Sequence, residues 1–172
     1  MALPTLEGVR LAVQNLDGVA LESPLQKNLR LSEKCQAQVF FKREDLQQVR
    51  SFKIRGAYNT ICRLSKEERQ KGIVCSSAGN HAQGVANACK RLRIPCEIVM
   101  PATAPELKIK AVNNNVTVHL SGSFTKSRIR SWHSNKSTSV FLNLGGGLCI
   151  NYDPKAHIRP RTCGSYLTFS KS

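Results

Sequence analysis

The sequence predicts an α/β fold: a parallel sheet with flanking helices, arranged in three layers. Three observations predict it. Short apolar runs at Ile73-Val74-Cys75, Cys96 to Met100 and Val116 to Leu120 read as strands, stretches with helical apolar spacing lie between them, and turn residues mark the junctions. Strands alternating with helices form βαβ units around a parallel sheet. Right-handed crossovers then bring the turns after the three strands to one sheet edge, where α/β proteins bind ligands.

Each element has its own signal. Residues 5 to 17 read as a helix with Leu6, Val9, Leu11, Val13 and Leu16 as apolar positions, at an imperfect period. Ser23-Pro24-Leu25 is extended or turning, because Pro24 restricts the residue before it. Val39-Phe40-Phe41-Lys42-Arg43 is a strand by its β-branched and aromatic cluster. Ile54, Ala57, Tyr58, Ile61 and Leu64 share one helical face, and Ser65 with Glu68 offers a capping box for a further turn before Gly72. A Ser/Gly-rich turn follows Cys75 and leads into a helix from Ala82 to Leu92. Pro105 suits the first position of a helix running to about Val112. From Ser121 to Ser139 neither period is visible, so residues 121–172 are expected not to pack as the first 120 do.

Composition narrows the function classes. Of 172 residues 41% are hydrophobic and 22% charged, which argues against global disorder. The net charge of +15 is uneven: residues 1–120 hold 18 Lys/Arg and 10 Asp/Glu, whereas 121–172 hold 8 Lys/Arg and only Asp153. A basic, Ser-rich segment with Arg128, Arg130, Lys136, Arg159 and Arg161 suits non-specific polyanion binding, and a nucleic-acid partner is the rival reading from another class. No apolar run approaches the roughly 20 residues that span a bilayer, and no signal-peptide pattern opens the chain, so the expected location is intracellular, without a membrane partner. The seven cysteines form no C-x-x-C pair, which points to small buried side chains rather than to a metal site or a disulfide framework.

Two motifs carry chemistry. The first is Ser51-Phe52-Lys53-Ile54-Arg55-Gly56-Ala57, between a strand region and a helix. A Lys at a helix start, with Arg55 nearby to favour the neutral amine, suits attack on an aldehyde; alone, the motif reads as well as an ordinary surface helix start. The second is Ser76-Ser77-Ala78-Gly79-Asn80-His81-Ala82-Gln83-Gly84. Hydroxyls, backbone N–H groups and the positive end of the next helix converge there on a carboxylate or phosphate. Its structural reading is a strand-to-helix turn with a side-chain N-cap, with His81 packed.

In this order, one helix and one strand apart, the motifs resemble those of the threonine and serine dehydratases of the tryptophan-synthase-like, fold type II pyridoxal-phosphate family. The resemblance runs from about Gly8 to Leu120 and includes Ser23-Pro24-Leu25-Gln26, Phe41 to Gln47 and Val99-Met100-Pro101. It implies pyridoxal 5'-phosphate as cofactor and a small amino-acid substrate, L-threonine with L-serine as the alternative, dehydrated and deaminated to a 2-oxo acid and ammonia. Lys53 resembles the lysine that holds the cofactor as a Schiff base and removes the substrate α-proton, Phe52 the residue flanking the ring, and Asn80 the residue bonding the ring 3'-hydroxyl. Ser77, Ala78, Gly79 and His81 fall in the loop that cradles the substrate carboxylate. Ala78 stands where serine racemases have a serine that acts as a second acid/base, so elimination is expected over racemisation. The resemblance also implies homo-oligomeric full-length relatives, isoleucine biosynthesis, and a cytoplasmic or organellar location.

By the same resemblance, residues 1–52 are the first piece of a large cofactor domain, 53–120 a small α/β domain, and 121–172 a divergent, poorly ordered tail. Gly145-Gly146-Gly147-Leu148 matches a phosphate loop in letters, but too early and without a strand-helix frame. The fold is therefore expected to be an incomplete fold type II enzyme, with the tail non-native and the chain weakly active or inactive; an inactive regulatory fragment is the other alternative.

Overall fold

The computed structural model describes residues 4–113 and 116–122, and the backbone alone of 140–143 and 148–151. Five strands form the main sheet: β3 (Ile73–Ser76), β4 (Cys96–Pro101), β5 (Thr117–Ser121), β6 (Val140–Asn143) and β7 (Leu148–Asn151), in the order β5-β4-β3-β6-β7. The first four are parallel and β7 is antiparallel. Registers of Ser76 with Val99 and Pro101 with Ser121 place the ends of β3, β4 and β5 at one edge.

Two helices cross over between these strands, α5 (Asn80–Leu92) and α6 (Glu106–Asn113). Both steps move the same way across the sheet, so right-handed crossovers put both helices on one face. There Ile73, Cys75, Cys96, Ile98 and Met100 meet Ala82, Val85, Ala86 and Cys89 of α5 and Val112 of α6 in one core. Each large aliphatic side chain buried there contributes about 1.5–3 kcal/mol. Val74 and Val99 point the other way, since strand side chains alternate, and they are also buried, so the sheet centre is shielded on both faces.

Local chemistry sets the boundaries. Gly72 has φ +78, and a Cβ there would sit 3.1 Å from the Pro95 carbonyl oxygen, so glycine lets the chain turn into β3 beside β4. α5 closes with Arg93 in the left-handed region and Ile94 N–H bonding Cys89 O at 2.9 Å. The capping box at Ser65 is present: Ser65 Oγ accepts from Glu68 N–H at 3.2 Å and Ser65 N–H donates back to Glu68 at 2.9 Å, opening α4 (Lys66–Gln70). Five described cysteines are free thiols, with Cys75, Cys89 and Cys96 in the core. Burial pushes the Cys75 thiol up, which suits a small apolar role.

The N-terminal portion is built differently. α1 (Leu6–Asn15) is capped by Thr5, and a two-stranded antiparallel sheet pairs β1 (Leu25–Lys27) with β2 (Phe40–Lys42) across α2 (Leu29–Cys35). The apolar positions of α1 do not form a buried face: the helix buries no residue, consistent with its imperfect period. Leu29 is 74% exposed, and Leu6, Val13 and Leu25 are almost as open. The helix at Leu29–Cys35 was not anticipated; its local signal is the Asn28 cap, whose Oδ1 accepts from Leu31 N–H at 2.9 Å.

The larger difference lies after residue 121. The sequence assigns no element there, yet Val140–Asn143 joins β3 in parallel and Leu148–Asn151 extends the sheet. These four-residue runs are too short to show a period and take their pairing from strands distant in sequence. Gly145-Gly146-Gly147 and the basic residues Arg128, Arg130, Lys136, Arg159 and Arg161 lie outside the described residues. Among the described residues no helix is long and apolar enough to cross a membrane.

Candidate active site

Lys53 opens α3 (Lys53–Ile61), whose buried residues Ile54, Ala57 and Ile61 turn it onto α5. The two helices touch through small residues. A Cβ at Gly84 would lie 2.9 Å from the Lys53 carbonyl oxygen and 3.3 Å from Ala57 Cβ, so only glycine permits this approach. Gly84 stands four residues after Asn80, one turn along the same helix face, or about 6 Å. The backbone of Lys53 is thereby held beside the first turn of α5.

The turn itself follows from the end of β3. Ser77 N–H bonds Val99 O at 3.1 Å, the last tie to the sheet, and Gly79 N–H donates to Ser77 Oγ at 3.3 Å. The helix starts at Asn80, two residues before the predicted Ala82, with Gly79 as N-cap. The side-chain cap allowed for in the sequence is absent: among the described residues no side chain makes a capping bond at Gly79, and the positive dipole end of α5 lies at the turn.

The predicted site residues separate into two groups. Ser77, Ala78, Gly79 and Asn80 form the turn after β3 and Phe52 and Lys53 the start of α3, all of them exposed or half-buried. His81, the second residue of α5, is 6% exposed and so lies on the buried side of the same turn. The Lys53 ammonium sits 5.3 Å from the Phe52 ring centroid, a cation–π contact, and Lys108 Nζ donates to Asn80 Oδ1 at 2.6 Å. Neither contact joins Lys53 to Asn80; what links their helices is the approach of the Lys53 backbone to Gly84, one turn after Asn80.

Arg55 does something other than expected. Its Nε and Nη2 donate to the two carboxylate oxygens of Glu44 at 2.9 and 2.8 Å, so the guanidinium is taken up by an ion pair rather than standing as an unpaired charge at the start of α3. Glu44 also accepts from Ser23 Oγ at 2.7 Å. Gln47, 1% exposed, exchanges both amide bonds with the Leu21 backbone at 2.7 and 2.9 Å. Burial pushes the Glu44 carboxyl up, but the bonds from Arg55 and Ser23 outweigh it and hold the group below its usual range. This network straps residues 21–23 and 44–47 to α3. Sequence reasoning saw Ser23, Glu44 and Gln47 as motif letters without a role, and missed Lys108.

Two observations bear on whether the residues fit an aldehyde cofactor. Ser51 and Ser76 hydroxyls are buried without a hydrogen-bond partner among the described residues, each within two or three residues of the turn or of Lys53, and such groups cost about 1–3 kcal/mol unless a polar group meets them. The approach at Gly84 places a primary amine and a primary amide on adjacent helix starts. The residues fit the aldehyde and ring-hydroxyl side of pyridoxal phosphate. An open cleft of about 520 Å³ lined by Gln48, Arg50, Gln83, Asn87 and Lys90 lies further along α5 and includes neither Lys53 nor Asn80.

Comparisons with known proteins bear on the family and the fold. A family model described as pyridoxal-phosphate dependent enzyme matches residues 17–143. The chain belongs to this pyridoxal-phosphate-dependent enzyme family. The match passes Leu120, where the motif resemblance ends, and runs through β6. The chain is 52% identical over 107 residues to the biosynthetic L-threonine dehydratase IlvA of Halalkalibacterium halodurans, covering 62% of this chain and 26% of that protein. It is 56% identical over 105 residues to the chloroplastic biosynthetic threonine dehydratase 1 of Solanum lycopersicum, covering 60% and 17%. The processed form of threonine deaminase isoform 2 from Solanum lycopersicum superposes with a TM-score of 0.67 at 36% identity, covering 81% of this chain and 43% of that one. Serine racemase from Dictyostelium discoideum gives 0.73 at 30%, covering 82% and 47%. The chain thus spans about a quarter or less of the length of the first two relatives and under half of the two solved chains. The pyridoxal-phosphate enzyme fold is shared, and this chain has part of it.

Proposed function

We propose that the chain carries the Schiff-base end of a threonine dehydratase site, in which L-threonine loses water and the unsaturated amine so formed takes up water again to release ammonia and 2-oxobutanoate, as in isoleucine biosynthesis. The observation that carries this reading is the packing of the Lys53 backbone against Gly84, one turn from Asn80. The relatives named as threonine dehydratases support the substrate. When bound, pyridoxal phosphate supplies an electron sink for the pair left as the substrate α-proton departs.

The chain's own residues divide the remaining work. Lys53 Nζ holds the cofactor and takes the α-proton, and Phe52 flanks the ring. Asn80 bonds the ring hydroxyl oxygen. The loop at Ser77, Ala78 and Gly79 and the α5 N-terminus bind the substrate carboxylate through backbone N–H groups. His81 supports that loop from the core side. Ala78 has no group able to move a proton, so elimination is favoured over racemisation. L-Serine is the alternative substrate.

We read residues 1–52 as the first piece of the large domain and 53–120 as the small domain, with 121–172 divergent. The open apolar side chains of Leu6, Val13, Leu25 and Leu29 support a first piece that needs further surface to cover it, and hence weak activity of the chain alone. An intracellular setting, cytoplasmic or organellar, and a homo-oligomeric full-length state complete the reading.

The test is a pyridoxal-phosphate titration of the full 172-residue chain followed by absorbance, with 2-oxobutanoate release from threonine as a second readout. Binding that is lost in Lys53→Ala and weakened in Asn80→Ala supports the reading. A Lys53→Ala chain that binds and absorbs as the unsubstituted chain does overturns it.

A further inference from the structure

The bond from Lys108 Nζ to Asn80 Oδ1, at 2.6 Å, ties α6 to the first residue of α5. Its geometry is set by the core. Lys108 stands one turn before Val112, which is fully buried, so it projects from the side of α6 turned toward α5. Ile109 packs against the same core and fixes the rotation of the helix. Glu106, the one acidic residue of α6, bonds Lys110 Nζ at 2.7 Å and leaves Lys108 to Asn80.

A primary amide has one accepting and one donating end. With an ammonium against Oδ1, the donating Nδ2 is left to face a ligand; turning the amide over would set donor against donor. A charge-assisted bond is about twice as strong as a neutral one, so the orientation is held rather than averaged. The ammonium also polarises the amide and makes Nδ2 a better donor. We infer that Lys108 is a positioning residue: it locks the Asn80 amide with Nδ2 toward the ligand, so that Asn80 donates a hydrogen bond to an oxygen carrying negative charge. This rests on the proposed Lys53–Asn80 site, where that oxygen is the ring hydroxyl oxygen of pyridoxal phosphate.

Two arms test it separately from the function. In the first, side-chain amide signals of Asn80 are followed by ¹⁵N NMR in the cofactor-free full chain. The expected result is two well-separated, motionally restricted proton signals that collapse to free-amide values in Lys108→Met and return in Lys108→Arg. Free-amide values in the unsubstituted chain, or no change in Lys108→Met, overturn the inference.

In the second, pyridoxal-phosphate affinity is compared among the unsubstituted chain, Lys108→Met and Asn80→Asp. Losing one such bond predicts about tenfold weaker binding for Lys108→Met. Asn80→Asp keeps the tie to Lys108 but has no donor, so it is expected to weaken at least as much; a purely structural tie would leave its affinity intact and overturn the inference. An unsubstituted chain whose cofactor absorbance does not depend on Lys53 defeats the function instead, while the NMR arm still reports on Lys108.

Discussion

Gly84 is the residue on which the site geometry turns. Replacing its hydrogen with a methyl group would place a carbon 2.9 Å from the Lys53 carbonyl oxygen, a backbone atom that cannot swing aside. Overpacking of this kind costs about 1–3 kcal/mol, and the better helix propensity of alanine returns up to about 1. Gly84→Ala is therefore expected to lower the urea midpoint and to weaken pyridoxal-phosphate binding by displacing Lys53; unchanged binding would separate Lys53 from the α5 contact. Ala78→Ser belongs to the same scale. A hydroxyl there is expected to raise α-proton exchange with solvent without elimination, measured as deuterium incorporation into recovered threonine. At this scale the sequence showed the residue types but not their partners. Nothing local in Arg55 reveals that Glu44, on a separate element, takes its guanidinium, or that Lys108 reaches Asn80.

Among the elements, α3 depends on the strap from Glu44. Unfolded, the carboxyl titrates near its ordinary value of 4.5; folded, Arg55 and Ser23 hold it lower. The strap therefore stabilises fully above about pH 4.5 and is lost as pH falls through the folded value. Glu44→Gln is expected to cost about 1–3 kcal/mol at pH 7 and to flatten the loss of unfolding free energy between pH 5 and 3, read by urea titrations at each pH. Equal acid slopes in both chains would place the sensitivity elsewhere. Elements with a one-sided apolar period, such as α3 and α5, were legible because their buried faces repeat along the chain. α2 was not, since it buries nothing, and β6 was not, because its place depends on pairing with β3 rather than on any repeat of its own.

The whole molecule has two parts of unequal finish. Residues 53–113 close a core around β3, β4 and α5, whereas the N-terminal elements leave Leu6, Val13, Leu25 and Leu29 open to solvent. That contrast predicts concentration-dependent self-association of the chain, and Leu29→Glu is expected to reduce it in sedimentation velocity while changing unfolding free energy by less than about 0.5 kcal/mol. A monomer at all concentrations would show that these side chains are not adhesive. The parallel sheet and the edge bearing the turns were readable from alternating patterns alone; the covering of the N-terminal surface was not, because no local rule says what a helix face without a partner will meet.

The central claim is that one amine, on the first residue of α3, serves the turn at the start of α5. Borohydride reduction of the full chain in the presence of pyridoxal phosphate, followed by peptide mass mapping, tests it most directly. The account predicts a stable pyridoxyl label on Lys53, lost in Lys53→Ala. A label confined to another lysine, or spread evenly over the exposed ones, would contradict it.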